Sequence, residues 1–399
     1  MDGEPLMCGI AGILNFRSGR PVDPALLESM RDTMVHRGPD DGGTFTDGEV
    51  GLGHRRLSIL DLSPAGHQPM TSPDGRYVIA FNGEIYNYLE LKAQHFGGEA
   101  AFASSSDTAV LLALYRKLGP ACVEHLNGMF AFAVWDKRER CLFLARDRLG
   151  KKPLYYAHTP DGLAFASEMK ALIALPGVDK TLFEENILAY MAFGYVAGEK
   201  TLLKGIRKLP AGHRMTVKDG KIEASAYWTL RYRPGPDRGE KTTVEEFGAL
   251  LEDAIKLRLR SDVPLGIFLS GGLDSSAVVA LLARNGAKAL KTFSVAFDFG
   301  GRFDETGYAR KVADTYQTDH HQTYLSPADF RDYIPGYIWH MDEPVCQASA
   351  IPLWHIAKVA KEHVTVVLSG EGADEVLAGY PIYRTMLMLE RLRGAAAGA

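Results

Sequence analysis

The strongest chemical signal in the sequence is a glycine-rich loop between an apolar run and a helical stretch. Its residues are Leu269-Ser270-Gly271-Gly272-Leu273-Asp274-Ser275-Ser276. Adjacent glycines let the backbone approach a ligand closely, and serines at a helix start present donors to an anion. The loop lacks the Gly-Lys-Ser/Thr ending of a Walker A loop, so simple γ-phosphoryl transfer is not indicated. The alternative, an ordinary strand-to-helix turn, is disfavoured by the specific Ser-Gly-Gly-x-Asp-Ser string.

A second loop has the same placement after an apolar run, with the residues Ser369-Gly370-Glu371-Gly372-Ala373-Asp374-Glu375. We predict that the two loops face each other at one edge of a parallel sheet. Asp274 and Asp374 are then candidate ligands for Mg²⁺, which prefers carboxylate, water and phosphate oxygens. For Asp374 taken alone, the alternative is a solvated residue at a helix N-terminus.

Cys8 is a candidate nucleophile in the string Met7-Cys8-Gly9-Ile10-Ala11-Gly12. A cysteine at a mature N-terminus carries its own base, because an α-amino group has a pKa of about 7.7–8.0 and is partly neutral at pH 7. The alternative is a core cysteine at the start of a strand, since free Cys is among the most buried residue types. Cys8 taken alone favours that alternative.

Other residues of the first half complete a site for an amino acid. Asn82-Gly83-Glu84 supplies a side-chain amide and a backbone N–H, the parts of an oxyanion hole. Arg56 offers a fork for a carboxylate, and Asp107 offers a partner for an ammonium. Together they could hold an amino acid by its two charged ends and stabilise an oxyanion at its side-chain amide.

The elements that must position these residues differ between the two halves of the chain. Short runs rich in aromatic and branched residues predict strands at 9–15, 76–81, 129–135, 141–145, 154–157 and 163–166. Helical periodicity predicts helices at 24–35 and 107–118. This pattern favours an α+β domain in which sheets pair mainly with each other and helices lie outside.

A polar stretch with two prolines and two glycines, 231–241, predicts a linker. Thr243 and Glu246 have the spacing of a capping box, which predicts a helix start. The apolar face expected for that helix is formed by Val244, Phe247, Leu250, Leu251 and Ile255. Strands at 265–269, 291–297 and 364–368 then alternate with helices at 275–285 and 305–316, which indicates an α/β domain with a parallel sheet.

The composition excludes several classes of protein. The chain has 399 residues, 46% hydrophobic and 24% charged, with a formal net charge of −4, so neither nucleic acid nor an anionic membrane is expected as a partner. No apolar run reaches the roughly 20 residues of a membrane span. Four scattered cysteines without CxxC spacing argue against zinc and disulfides, and favour a cytoplasmic protein.

The ordered motifs resemble the asparagine synthetase family of glutamine amidotransferases. The resemblance runs from Cys8 to about Tyr380. In the first half it rests on MCGIAGI (7–13), HRGPD (36–40), RLSI (56–59), FNGEIYN (81–87), SSSD (104–107), GMFAFAVWD (128–136), ARDRLGKKPLYY (145–156) and ASEMKAL (166–172). In the second half it rests on SDVPLGIFLSGGLDSS (261–276) and LSGEGADE (368–375).

The resemblance implies an N-terminal-nucleophile (αββα) glutaminase domain at 8–230, a linker at 231–242, and an α/β pyrophosphate-loop ATPase domain at 243–399. It implies a ligase that hydrolyses glutamine at Cys8 and transfers ammonia to a β-aspartyl-AMP formed from aspartate and ATP. The implied glutamine-binding residues are Arg56, Leu57, Ser58, Ile59, Leu60, Asn82, Gly83, Glu84 and Asp107, with Asn82 and Gly83 as the oxyanion hole. The implied ATP-binding residues are Leu269, Ser270, Gly271, Gly272, Asp274, Ser275, Val295, Ser369 and Gly370. Asp274 and Asp374 would hold Mg²⁺, and Glu371 matches the position linked to adenylation. The resemblance leaves a homodimer open.

Two departures from the family pattern carry expectations. Six residues precede Met7, so we expect the functional chain to begin at Cys8, whose α-amino group would otherwise be blocked. The family's synthetase domain continues well beyond the LSGEGADE loop, so we interpret the chain as C-terminally truncated and expect its synthetase activity to be impaired. Apolar Met386, Leu387, Leu389 and Leu392 should then be exposed.

Two other functions stay open at this point. Related amidotransferases act on carboxylates of surface polysaccharides or antibiotics, and the acceptor is not readable from the motifs. A non-catalytic remnant that still binds glutamine and nucleotide is the other alternative, which the joint presence of Cys8, Arg56, Asn82 and Asp107 disfavours. The β-lactam-forming relatives, as a subfamily, do not need the cysteine.

Overall fold

The computed structural model describes residues 7–97, 102–287, 289–297, 305–347 and 349–397. They form two compact units: the first runs to Val263 and also includes Phe330–Trp354, and the second comprises Pro264–Asp329 and the residues after Trp354. The segment Phe330–Trp354 therefore belongs to the first unit, although it lies far along the chain. The domain limits 8–230, 231–242 and 243–399 stay a prediction.

Strands dominate the described part of the first unit. In chain order they are β1 (Gly9–Leu14), β2 (Asp41–Asp47), β3 (Val50–Arg56), β4 (Met70–Thr71), β5 (Tyr77–Ile85), β6 (Gly128–Asp136), β7 (Cys141–Arg146), β8 (Tyr155–His158), β9 (Leu163–Ala166), β10 (Ile206–Lys208), β11 (His213–Lys218) and β12 (Lys221–Ala226). They form two antiparallel sheets with the orders β10-β8-β9-β1-β3-β2 and β12-β11-β7-β6-β5-β4.

Helices flank the two sheets. Those of the first half are α1 (Pro24–Asp32), α2 (Tyr88–Phe96), α3 (Asp107–Leu118), α4 (Met169–Ile173) and α5 (Glu184–Phe193), followed by α6 (Glu240–Arg258). The N-termini of α1 and α3 are capped by the side chains of Asp23 and Ser106, which accept backbone N–H groups of Ala25 and Ala109. Short 3₁₀ turns lie at Pro64–Gly66 and Gly119–Glu124.

Apolar side chains fill three layers between these elements. In β6, Ala131, Ala133 and Trp135 face the central layer between the sheets, whereas Phe130 and Phe132 face the layer under α3. A third layer joins α1 and α4 to the outer face of β1. Both faces of β6 are therefore buried, which explains its nearly continuous apolar run. The arrangement is helix, sheet, sheet, helix, and it confirms the predicted αββα domain.

The described part of the second unit contains a parallel sheet. Its strands are β13 (Leu265–Phe268), β14 (Lys291–Phe297), β15 (Asp319–Leu325) and β16 (Val366–Leu368), in the order β15-β14-β13-β16. The remaining helices of the chain are α7 (Leu273–Arg284), α8 (Thr306–Tyr316), α9 (Pro327–Met341), α10 (Ala350–Lys361), α11 (Ala373–Leu377) and α12 (Pro381–Ala397). Most of α9 and the start of α10 fall in Phe330–Trp354 and thus belong to the first unit. From β13 the chain continues to β14 on one side of it, and β16 is added later on the other side. In such folds ligands bind in the crevice outside the carboxyl ends of the strands at this reversal, here β13 and β16.

Several predicted bounds were corrected. The helix predicted at 24–35 ends at Asp32, and the strand predicted at 364–368 begins at Val366. The predicted capping box was wrong: α6 begins at Glu240, within the predicted linker, after Gly239 with no side-chain cap. Instead, the hydroxyl of Thr243 donates to the carbonyl oxygen of Gly239 one turn back. The helix therefore starts where the left-handed Gly239 ends the linker.

Exposed apolar side chains mark two helices. On α6, Ile255 is buried, whereas Val244, Phe247 and Leu250 of the predicted apolar face are exposed. On α12, the four residues expected to be exposed are 47% to 59% exposed, which confirms that expectation: Met386, Leu387, Leu389 and Leu392. None of the helices in the described residues is long and apolar enough to span a membrane.

Candidate active site

Cys8 immediately precedes β1, and its thiol lies against the backbone just beyond the end of β3. The sulfur accepts the N–H of Leu57 at 3.4 Å and donates toward the carbonyl oxygen of Leu57 at 3.6 Å. Because Gly9 pairs with Arg55 in the antiparallel sheet, Cys8 is brought level with Arg56. The sheet register thus brings the predicted nucleophile to the start of the predicted glutamine loop.

Burial raises the pKa of the Cys8 thiol, and the Leu57 N–H and the positive charge of Lys152 only partly oppose this. The thiol is therefore protonated at neutral pH in the described structure. A group that attacks from the protonated state must pass its proton to a base during the reaction.

Arg56 ties down the loop that follows it. Its guanidinium donates to the carbonyl oxygens of Leu60, Asp61 and Ser63. These contacts curl residues 57–63 back over the end of β3. The predicted fork for a substrate carboxylate stays a prediction, and the guanidinium has a second role in shaping the loop.

Asp61 anchors the same loop from the other side. Its carboxylate accepts the Ser104 hydroxyl at 2.6 Å and the Ser105 N–H at 2.9 Å. Burial disfavours its ionisation, but the hydrogen bonds from Ser104 and Ser63 outweigh burial and lower the pKa of Asp61 to about 2. Asp262 adds a third anchor, since its carboxylate accepts the Asp61 N–H at 2.8 Å. The loop 57–60 is thus held in one shape at neutral pH.

Asn82 lies on β5, yet its side chain reaches the sheet that contains β1. Its Nδ2 is 3.4 Å from the Ser167 hydroxyl, which also accepts the N–H of Ile10 at 3.0 Å. Ser167 therefore links Asn82 to the strand that begins one residue after Cys8. The Oδ1 atom of Asn82 is buried and has no hydrogen-bond partner among the described residues. A buried amide with spare capacity fits a site that expects a polar ligand.

Gly83 follows Asn82 in β5 and has no room for a side chain. A Cβ at this position would collide with the carbonyl oxygen of Met129 and approach Phe130 Cα to 2.8 Å. The close pairing of β5 and β6 thus requires glycine here. Its role as an oxyanion donor stays a prediction.

Asp107 and Glu84 place two carboxyl groups in the same buried region. Asp107 opens α3 and accepts the N–H of Ile85 at 2.8 Å, and burial raises its pKa to about 6. Glu84 is also buried, and burial together with the charge of Asp107 raises its pKa to about 7. Both groups gain from a cation between or beside them, because it would compensate for the lost hydration.

Two glycine-rich loops of the second unit are called nucleotide loops after their predicted ligand, and the first joins β13 to α7. The hydroxyls of Ser270 and Ser275 are 3.0 Å apart, and the N–H of Gly272 donates to Ser270 at 3.2 Å. Gly271 has a left-handed φ of 84°, and a Cβ there would lie 2.5 Å from the backbone nitrogen of Ala309. The geometry requires glycine at this turn and closes a tight loop at the start of the helix, as an anion-binding site needs.

The second nucleotide loop follows β16, the neighbour of β13. A Cβ on Gly370 would lie 2.8 Å from the backbone nitrogen of Ser275 and 2.9 Å from Asp274 Cβ, so the two loops touch. The N–H of Glu371 donates to the Ser369 hydroxyl at 3.4 Å. The prediction that the two loops face each other at one sheet edge is confirmed.

Leu269 and Val295 lie deeper in the same unit. Leu269 is buried and donates its N–H to the carbonyl oxygen of Phe293, while its own carbonyl accepts the hydroxyl of Ser294. Val295 follows Ser294 in β14 and packs with the core around Phe293. These contacts tie the start of the first nucleotide loop to β14.

Two models of known families match almost the whole chain. The one described as "Glutamine amidotransferase domain" matches residues 7–228, and the one described as "Asparagine synthase" matches 246–397. "Asparagine synthetase [glutamine-hydrolyzing] 1" of Bacillus subtilis is 41% identical over 96% of this chain and 60% of its own length. "Putative asparagine synthetase [glutamine-hydrolyzing] 2" of Methanocaldococcus jannaschii is 41% identical over 94% of this chain and 76% of its own length. The chain belongs to the glutamine-hydrolysing asparagine synthetase family.

One relative whose name is not asparagine synthetase is less similar to this chain than these two. "Amidase chry2" of Gibberella zeae is 33% identical over 95% of this chain and 60% of its own length. The chain thus spans about 60% of the length of two of these three relatives.

Sequence reasoning missed a lysine whose charge acts on the Cys8 thiol. Lys152 is 6% exposed, its ammonium lies 3.0 Å from the sulfur of Met7, and burial lowers its pKa to about 8. The loop that carries it is held by Asp147, whose carboxylate accepts the N–H groups of Leu149, Lys151 and Lys152. The run ARDRLGKKPLYY was one of the strings that carried the family resemblance, so the signal was present without a role attached.

A second missed feature is the HRGPD string. Arg37 donates its Nε–H to the carbonyl oxygen of Cys8 at 2.9 Å, and its Nη1 pairs with Glu168 at 2.8 Å. Glu168 belongs to the ASEMKAL string and also pairs with His36 at 3.0 Å. Two strings of the asparagine synthetase pattern thus meet next to the backbone of Cys8.

The KM for glutamine is expected to rise as the pH falls below 6. Asp107 is ionised above its pKa of about 6 and protonated below it, so its attraction for a substrate ammonium is present at neutral pH and lost on acidification. The rise should approach about tenfold for each pH unit below the pKa. Steady-state glutaminase kinetics between pH 5 and pH 8 would measure it.

Two variants control this pH experiment. Asp107→Asn keeps an acceptor for the Ile85 N–H but has no charge, so its KM should be high and independent of pH. Glu84→Gln removes the neighbouring carboxyl and should keep the acid rise. An unchanged pH dependence in Asp107→Asn would contradict the assignment.

Proposed function

We propose that this chain hydrolyses glutamine at Cys8, and that the protein uses the ammonia to amidate an ATP-activated aspartate to asparagine. Two observations carry the first half: the Cys8 thiol lies against the anchored loop at Leu57, and Ser167 links the amide of Asn82 to the strand that follows Cys8. The second half is supported by the two touching nucleotide loops. The names of the relatives at 41% identity agree with both halves.

In the glutaminase half, the sulfur of Cys8 attacks the side-chain amide carbon of glutamine. The Nδ2 of Asn82 and the N–H of Gly83 donate to the oxygen as it becomes negative. The carbon–nitrogen bond then breaks, and the proton taken from the thiol passes to the leaving nitrogen, which departs as ammonia. Water then hydrolyses the glutamyl thioester and releases glutamate. The loop 57–60 with Arg56 holds the substrate carboxylate, and Asp107 holds its ammonium, with Glu84 lining the site beside it.

The base for the first step is the α-amino group of Cys8. The raised thiol pKa means that the proton must leave as the carbon–sulfur bond forms. An α-amino group with a pKa of about 7.7–8.0 can accept that proton at neutral pH, whereas the peptide nitrogen that joins Met7 to Cys8 cannot. We therefore propose that the active chain begins at Cys8.

In the synthetase half, ATP lies on the loops that follow β13 and β16. Leu269, Ser270, Gly271, Gly272 and Ser275 hold it on one side with Val295, and Ser369 and Gly370 hold it on the other. Glu371 assists the transfer of adenylate to the aspartate side chain, which converts a carboxylate that resists ammonia into one with a good leaving group.

Asp274 and Asp374 are the proposed Mg²⁺ ligands. Phosphate oxygens and water would supply the other ligands, since Mg²⁺ usually keeps several waters and binds one or two carboxylates beside substrate phosphates. The residues fit that chemistry, because the loops that carry the two aspartates are in contact. A bound Mg²⁺ would offset the negative charge of the phosphates.

Other features of the protein stay proposals. A cytoplasmic location agrees with the four free cysteines, Cys8, Cys122, Cys141 and Cys346. A homodimer and the domain limits given by the sequence stay predictions. The substrates are glutamine, ATP and aspartate.

The acceptor is tested by measuring pyrophosphate release from ATP in the protein with its natural termini. We expect release to depend on aspartate and to fall at least about tenfold in Asp274→Asn, since the phosphate and cation contacts would be lost. An Asp253→Asn variant on α6 is the matched control and should behave like the wild type. Release that requires a different carboxylate and not aspartate would replace asparagine synthesis by amidation of that acceptor.

A further inference from the structure

A line of charged side chains runs from the turn after α9 to the backbone of Cys8, entirely within the first unit. The Asp342 carboxylate pairs with the Lys170 ammonium at 3.1 Å, and Lys170 pairs with Glu168. Glu168 pairs with Arg37 at 2.8 Å, and Arg37 donates to the Cys8 carbonyl oxygen at 2.9 Å. Each group in the line thus contacts the next.

The line is buried along its whole length. The side chains of Arg37, Glu168 and Asp342 are 7% to 8% exposed, and that of Lys170 is 13% exposed. The Lys170 ammonium also lies 4.7 Å from the centre of the Trp339 ring, which shields it from solvent. Buried charges interact more strongly than exposed ones, so the position of each depends on its neighbours.

Glu168 is the centre of the line. It accepts from His36, Arg37 and Lys170, and these contacts outweigh burial and hold its pKa far below the usual range. Loss of the Lys170 charge would leave Glu168 to be balanced by Arg37 and His36 alone. That change would shift the position of Arg37, whose Nε–H donates to the carbonyl oxygen of Cys8.

We propose that Asp342, acting through Lys170, Glu168 and Arg37, is a positioning residue for Cys8. The proposal rests on the proposed role of Cys8 as the nucleophile. The Cys8 carbonyl, thiol and α-amino group share one Cα atom, so a shift of the carbonyl turns the thiol and its base together. Misplacement of a reacting group by about 1 Å can cost about 10²-fold in rate.

The line joins two parts of the sequence that match different family models. Asp342 lies in the stretch matched by the asparagine synthase model, 246–397, although it belongs to the first unit. It has a left-handed φ of 55° and also accepts the backbone N–H of Lys170 at 3.1 Å. A residue from the synthetase stretch thus sets the geometry of the glutaminase nucleophile.

The next residue provides a matched control. Glu343 pairs with the Lys208 ammonium at 2.6 Å and accepts the N–H of Leu202 at 2.6 Å. It is a buried acid of the same turn and pairs with a lysine of the same unit. Among the described contacts, Lys208 has no bond to Glu168 or Arg37. Loss of the Glu343 charge should therefore reduce stability without reaching Cys8.

The experiment compares Asp342→Asn with Glu343→Gln in the full chain. We expect Asp342→Asn to lower kcat for glutamine hydrolysis about tenfold with KM within about twofold, and to slow alkylation of Cys8 by iodoacetamide by a similar factor. Glu343→Gln should leave both rates within about twofold of the wild type, although its Tm falls. Equal effects of the two variants on kcat and alkylation would overturn the proposal.

A second pair decides the question if Asp342→Asn does not fold. Lys170→Arg keeps the charge between the two carboxylates and should retain more than half of the wild-type alkylation rate, whereas Lys170→Met should lose most of it. Similar rates in these two variants would also overturn the proposal. If Cys8→Ala hydrolysed glutamine as fast as the wild type, the proposed function would be refuted. The alkylation rates of the Asp342 and Lys170 variants would still test the line of charges.

Discussion

Replacing Cys8 with alanine is expected to abolish glutamine hydrolysis, with kcat reduced about 10⁴-fold or more, because the thioester of the proposed mechanism forms on the Cys8 sulfur. Release of glutamate from glutamine is the measurement. KM is not informative here, because the residual activity would be that of uncatalysed hydrolysis. A glutaminase rate in Cys8→Ala within tenfold of the wild type would contradict the assignment of the nucleophile.

Cys346→Ala is the matched control for this variant. Cys346 is exposed and its sulfur contacts the hydroxyl of Tyr190 at 3.4 Å, away from the loop at Leu57. Its removal should leave glutamine hydrolysis within about twofold of the wild type. A large loss in Cys346→Ala would show that thiol chemistry at a second position contributes to turnover.

The mass of the active chain tests the base. In the described structure Met7 precedes Cys8, so the nitrogen of Cys8 is a peptide nitrogen. Met7 itself donates its N–H to the carbonyl oxygen of Arg37 at 2.6 Å. We expect the active species to begin at Cys8 when its intact mass is measured. Full glutaminase activity of a chain that retains residues 1–7 would refute the α-amino group as the base.

Asn82→Ala is expected to lower kcat for glutamine hydrolysis about 10²–10³-fold, which corresponds to about 3–4 kcal/mol of transition-state stabilisation. The amide donates to an oxygen that becomes negative only as the thiol attacks, so KM should change by less than about threefold. The measurement is steady-state kinetics with glutamine at pH 7.5. A rise in KM with an unchanged kcat would show that Asn82 binds the ground state instead.

Asn87→Ala separates this effect from loss of structure. Asn87 belongs to the same FNGEIYN run, and its side chain bonds the backbone of His125 and Asn127 at 3.0 Å and 2.9 Å. Its truncation removes two hydrogen bonds, more than the truncation of Asn82 removes, yet it should leave kcat within about twofold. Comparable losses of kcat in the two variants would point to a general disturbance of β5 and its loop.

Much of the fold could be predicted from the sequence because the signals are local. The aromatic and branched runs of β5, β6, β7 and β9 occupy nearly the predicted positions. Strands without such runs were missed. β2 (DGGTFTD) and β3 (VGLGHRR) are rich in glycine and polar residues. Their strand structure comes from sheet pairing, because β3 pairs with β1 and β2 pairs with β3.

The helix start near Thr243 shows the opposite failure. The capping-box spacing was present at Thr243 and Glu246, but α6 begins at Glu240, immediately after Gly239. Thr243 therefore lies inside the helix and not at its start. A capping motif stabilises a start by about 1 kcal/mol, which is too little to overrule the conformation of the preceding segment.

The sequence by itself identified the family and predicted the nucleophile and the nucleotide loops, because these inferences follow from short ordered strings. Only the tertiary structure decided which buried side chains contact the predicted site residues. Arg37 and Glu168 are 131 residues apart in the chain, and Lys170 and Asp342 are 172 apart. Short strings are readable because their geometry is local, whereas buried ion pairs depend on which distant segments the packing of the sheets and helices brings together.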